Sequence, residues 1–113
     1  MNTYKLNLNE YDISPKLYKE LEYFSLQYGE KMQKLRADST PPEYAAQLRH
    51  DVDIIESALI KASDPVNREA LRKSVTDKMP YKNLQVYCGQ NQFYHMRREY
   101  FHQLAISLNR IPA

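Results

Sequence analysis

The sequence predicts an all-α chain: an antiparallel helical hairpin packed on a C-terminal three-helix unit that contains a helix-turn-helix. Three observations lead there. Only 2 of 113 residues are glycine while 42% are hydrophobic, which leaves few sites for tight hairpins. Apolar residues recur at intervals of three and four, the spacing of a buried helix stripe. A capping residue followed by proline marks each of three helix starts. The length fits one domain over residues 1–113, with a single core and no deep cleft between lobes.

Residues 1–13 alternate loosely through Tyr4, Leu6 and Leu8, but they are too short and polar for a sheet. They are expected to form an extended arm. Ser14-Pro15 opens the first helix, in which Leu17, Leu21, Phe24, Tyr28, Met32 and Leu35 face inward to about Arg36. Gly29 falls inside it at a cost of about 1 kcal/mol against alanine, which suggests a close helix crossing. Thr40-Pro41-Pro42-Glu43 reads as a capping box for a second helix ending near Ala62. Its stripe is Tyr44, Leu48, Val52, Ile55 and Leu59. The short loop and similar lengths predict an antiparallel hairpin over residues 14–62.

Asp64-Pro65 repeats the start signal for a third helix, with Val66, Ala70, Leu71 and Val75 inward. Met79-Pro80 breaks it, because proline cannot donate within a continuing helix. A short helix from Pro80 to about Val86, anchored by Leu84, then precedes a turn at Cys88-Gly89. Gly89 is expected at positive φ. The last helix carries Phe93, Met96, Tyr100 and Leu104 inward. These elements make residues 63–108 the helix-turn-helix unit, and residues 109–113 are expected to fray.

Several function classes are disfavoured. No apolar run approaches the ~18 residues that cross a bilayer, and the N-terminus has neither the basic start nor the apolar stretch of a signal peptide. One cysteine forms no internal disulfide, which suits a reducing cytoplasm. That cysteine with His50, His95 and His102 gives no metal-ligand spacing. No nucleophile, base and orienting group assemble, so no cofactor or enzymatic activity is expected.

Charge is unevenly distributed. Residues 1–62 hold 8 Lys/Arg and 10 Asp/Glu, a net of −2; residues 63–113 hold 8 and 4, a net of +4. The positive charge sits with the helix-turn-helix, as a nucleic-acid reader requires. The candidate DNA-binding residues are Gln90, Asn91, Gln92, Tyr94, His95, Arg97 and Arg98 on the last helix, with Lys82 before it. Gln and Asn can pair bidentately with adenine, and Arg with guanine, in the major groove. The alternatives are that Gln or Asn caps the helix and that Arg97-Arg98 is a solvated face. Tyr94 and Tyr100 are six apart, which places Tyr100 inside and Tyr94 outside. The ten tyrosines read as amphipathic core filler or as stacking platforms for bases.

The run PYKNLQVYCGQNQFYHMRREYFHQLA, Pro80 to Ala105, resembles the C-terminal end of small phage-encoded regulators of Gram-positive bacteria, the ArpU-like late-gene activators. Their helix-turn-helix is similar to region 4 of bacterial sigma factors. The residues that carry the resemblance are Tyr81 and Leu84, Cys88-Gly89, Gln92-Phe93-Tyr94, Arg97-Arg98, Tyr100-Phe101 and Leu104. Upstream, LEYFSLQYGEKMQKL (Leu21 to Leu35) resembles the first helix of small prophage proteins with this tail. The resemblance implies a sequence-specific regulator of transcription that binds double-stranded DNA. The acidic hairpin would then serve homodimerisation or contact with host RNA polymerase. The rival readings are a phage-derived adaptor or inhibitor that binds a host protein through its bundle, and a packaging or replication accessory protein.

Overall fold

Ser14 accepts a hydrogen bond from the Leu17 N–H at 3.1 Å, and Pro15 occupies the first helical position. The first helix therefore begins where the capping signal places it. The structure, a computed structural model, describes residues 11–113, so most of the expected arm, Leu6 and Leu8 included, lies outside the described residues. Five helices follow: α1 (Pro15–Leu26), α2 (Tyr28–Arg36), α3 (Pro42–Ala62), α4 (Arg68–Thr76) and α5 (Gln90–Ser107). A single 3-10 turn, Tyr81–Asn83, lies between α4 and α5. The fold is all-α, with no strand among the described residues.

The expected first helix is two helices, broken at Gln27. Ser25 supplies a cause: its Oγ donates back to the Leu21 carbonyl at 2.9 Å and lies 2.8 Å from the Tyr100 hydroxyl. Serine bonding back into its own helix bends it. The bend sends the two pieces to different neighbours. The main contacts of α1 are with α4 and α5, while α2 packs on α3. Along α2 and α3 the partners are Tyr28 with Glu56 (2.7 Å), Lys31 with Asp51 (2.9 Å) and Lys34 with Tyr44 (3.2 Å), in opposite order on the two helices. Gly29 is exposed, and a Cβ there would meet nothing within 4 Å, so no close crossing explains it.

Other start signals are displaced. Thr40 does not cap α3. Its hydroxyl donates to the Lys34 carbonyl and closes the end of α2, while Pro41 takes the cap position of α3. Consecutive prolines hold the preceding backbone extended, which moves Thr40 out of capping range. Asp64-Pro65 likewise opens a turn and not a helix, and α4 starts at Arg68. Val66, expected inside, is 64% exposed in that turn. Tyr44, expected on the inner stripe of α3, is exposed, whereas Leu48, Val52, Ile55 and Leu59 are buried.

α4 ends through Lys78, at φ 56°, with the Met79 N–H donating to the Lys73 carbonyl. The left-handed residue is therefore Lys78. Gly89 has φ −67° and caps the start of α5. The helix expected from Pro80 to Val86 is reduced to the 3-10 turn, and residues 77–89 form a long connector. Its inner side chains Tyr81, Leu84, Val86 and Cys88 still pack on the core. Burial, then the charge of Asp64, push the Cys88 thiol up, away from the reactive thiolate.

α5 is the central element, with its main contacts on α3, α1 and α4. Phe93, Met96, Tyr100 and Leu104 are all buried, as their spacing predicts. So are Tyr94, Phe101 and Ala105. With neighbours on several sides, a helix buries more than one narrow stripe. The end of α5 does not fray. Asn109 takes φ 59°, its N–H donates to the Ile106 carbonyl, and the Arg110 N–H donates to the Ala105 carbonyl. That pattern is a Schellman close, with asparagine in the usual glycine position. Arg110 also pairs with Glu20 at 3.0 Å.

Two phenols make the stability of the bundle fall at alkaline pH. Burial first, then its hydrogen bond to Glu56, push Tyr28 up to about 12. Burial raises Tyr100 as well, against the lowering effect of Ser25. Both shifts favour the neutral phenol in the fold. The unfolded chain therefore loses these protons first, near pH 10, and stability falls as pH rises through the folded values. Thermal melting between pH 9 and 12 should show that decline, and Tyr28→Phe should make it shallower. Identical pH profiles for the two proteins would exclude a contribution from Tyr28.

Candidate nucleic-acid interface

The first turn of any helix leaves backbone N–H groups without intrahelical acceptors, and the peptide dipoles make that end positive. At α5 neither effect is cancelled from within. Gly89 has no side chain to cap with, and the first turn contains no acid. Gln90, Asn91, Gln92 and His95 are all exposed there. Arg98 is half-buried and falls on the same side as Asn91 and His95, at helical spacing. Lys82 is exposed on the 3-10 turn within the connector. The opposite side of α5 is held in the core by Phe93 and Met96, so these polar groups stand on a rigid element.

Two of the eight expected contacts are turned the other way. Tyr94 is only 9% exposed, and its ring stacks on Tyr81 with centroids 5.7 Å apart. The argument that Tyr94 and Tyr100 take opposite environments fails because both sides of α5 meet protein. Arg97 is half-buried with its guanidinium 5.5 Å from the Phe101 ring, and its Nε is buried without a hydrogen-bond partner among the described residues. It also stands near the Tyr18 hydroxyl, which burial raises and the Arg97 charge lowers. Gln90, Asn91, Gln92, His95, Arg98 and Lys82 are thus on the surface side, while Tyr94 is buried and Arg97 is half-buried against Phe101.

His95 and His102, on the same helix, have different surroundings. His95 is exposed, while His102 sits 3.4 Å from Glu99, with its ring 4.8 Å from that of Tyr11. Among the described residues no group of three or more His, Cys, Asp or Glu is placed to hold a metal ion, and no helix is long and apolar enough to cross a membrane.

The position of α5 depends on a residue that periodicity does not single out. Asn67 is 1% exposed, and its Oδ1 accepts from the Tyr87 N–H at 2.7 Å. Its Nδ2 donates to Asp64 Oδ1 at 3.0 Å. Asn67 therefore clamps the connector, two residues before α5's cap, to the corner between α3 and α4. The only sequence signal was the Asp64-to-Asn67 spacing, which also reads as a plain turn. Compared with known proteins, the chain matches no family model, no curated protein and no solved structure.

Proposed function

We propose that this chain binds double-stranded DNA in a sequence-dependent way through the N-terminal half of α5, and that it acts as a transcriptional regulator of phage or prophage origin. The observation that carries the reading is the uncapped, acid-free start of α5, presenting Gln90, Asn91, Gln92 and His95 on a helix fixed in the core. The excess of +4 in residues 63–113 and the resemblance of Pro80 to Ala105 to ArpU-like regulators support it. In this reading α5 is the reading helix, and the 3-10 turn Tyr81–Asn83 stands in place of the expected first helix of the helix-turn-helix. The α2–α3 region serves self-association or contact with RNA polymerase.

Affinity capture of fragments of the source genome, followed by sequencing, tests this directly. One discrete enriched sequence is the expected result. On that site Gln92→Ala should cost about 1–3 kcal/mol and relax specificity at one position. Lys82→Ala should weaken binding to all sequences and lower the salt slope by about 1. Lys16 and Lys19, on α1, should leave that slope alone. Capture of no DNA would favour the second reading, an adaptor that binds a host protein. Ile60 and Val66, 58% and 64% exposed on either side of the α3–α4 corner, offer such an adaptor its apolar contacts.

A further inference from the structure

An open cavity of about 200 Å³ lies between α1, the end of α4, the 3-10 turn and α5. Its polar side is formed by Tyr18, Glu22, Lys78 and Arg97, and its aromatic side includes Tyr81 and Tyr94. Ligand pockets for drug-sized molecules start at about 300 Å³, so only a small molecule fits. The two aromatic rings stack on each other, 28° from parallel, and together form an apolar wall of the cavity rather than two free faces.

The charges are unequal. Glu22 accepts from the Tyr18 hydroxyl at 3.3 Å and lies 3.8 Å from Lys78 Nζ. Arg97 has no carboxylate partner among the described residues. Arg97 and Lys78 against Glu22 leave one positive charge over. The guanidinium plane is steadied by the Phe101 ring, its Nε is sealed off, and the Tyr18 hydroxyl lies beside it, so a ligand would meet the terminal amino groups next to Tyr18. A planar fork of this kind matches a carboxylate. A dianion would add a second negative charge close to Glu22, which disfavours a phosphate monoester.

We propose that this cavity is a binding site for a small aromatic monocarboxylate, its carboxylate on Arg97 and Lys78 and its ring against Tyr81 and Tyr94. The site is independent of the DNA reading, since neither Arg97 nor Tyr94 lies on the exposed side of α5.

Titration of the full chain with benzoate, followed in two-dimensional amide spectra, tests it. Benzoate should give saturable shifts in residues 78, 79, 81 and 94–97, and benzylamine, the cationic counterpart, should give none. Arg97→Met keeps a flexible apolar stem, removes the guanidinium, and should weaken benzoate by about tenfold or more, the loss expected for a charged hydrogen bond. Glu22→Gln removes the opposing charge and should tighten benzoate several-fold. Absence of saturable shifts would overturn the proposal, as would unchanged affinity in a folded Arg97→Met protein. Should Arg97→Met not fold, Glu22→Gln decides, and unchanged or weaker binding there would overturn it. Inorganic phosphate binding as tightly as benzoate would overturn the monocarboxylate assignment.

Discussion

Phe93→Ala should lower the stability of the folded chain by about 3–5 kcal/mol, the range for a fully buried phenylalanine. Phe93 is 0% exposed, with the Tyr81 ring 5.5 Å away and the Tyr94 ring 6.0 Å away. Neither neighbour can readily swing in to fill the gap. Tyr81 is held by the connector and Tyr94 by its own place on α5, so a real cavity should remain. Total stability of a domain this size is about 5–15 kcal/mol, and the loss is a large part of it. Chemical denaturation with a common slope measures it. Gln92→Ala, one residue away on the exposed side, should shift the midpoint by less than about 0.5 kcal/mol. Equal midpoints for Phe93→Ala and the wild type would mean that α5 is rotated from the phase described.

Asn67→Ala is expected to cost about 1–3 kcal/mol, by a different route. Few apolar contacts are lost. Instead the part-buried Tyr87 N–H loses its acceptor and Asp64 loses both donations from Asn67 Nδ2. The effect should be local before it is global. In amide hydrogen exchange, Tyr87 should lose protection while the N–H groups in the middle of α3 keep theirs. Asn67→Asp should be worse at neutral pH, since it sets a carboxylate where Nδ2 now lies 3.0 Å and 3.1 Å from the Asp64 oxygens. Lowering the pH should then rescue Asn67→Asp and leave Asn67→Ala unchanged. Wild-type protection of Tyr87 in Asn67→Ala would show that the connector is held by something else.

The parts of the fold that were legible are those fixed by neighbours three or four residues away. The stripe Leu48, Val52, Ile55 and Leu59 is buried, and so is Phe93, Met96, Tyr100 and Leu104. Ser14-Pro15 caps α1 because its partner, Leu17, is three residues on. What was not legible depends on distant contacts. The bend at Gln27 involves Ser25 and Tyr100, 75 residues apart. The clamp on the connector joins Asn67 to Tyr87, 20 residues apart. The candidate site divides in the same way. Periodicity placed Gln92 and His95 outside, but it does not count how many helices surround α5. Tyr94 and Arg97 were misplaced for that reason, and the cavity that they line was not visible at all.

The Schellman close at Asn109 fixes where a chemical handle can be attached. α5 has 18 residues and is therefore about 27 Å long. Its closed end, fastened to α1 by Arg110 and Glu20, is that far from the exposed Gln90–Gln92 turn. A dye or surface tether joined after Ala113 would stand clear of any duplex lying across the other end. Binding measured on such an immobilised protein should match binding in free solution.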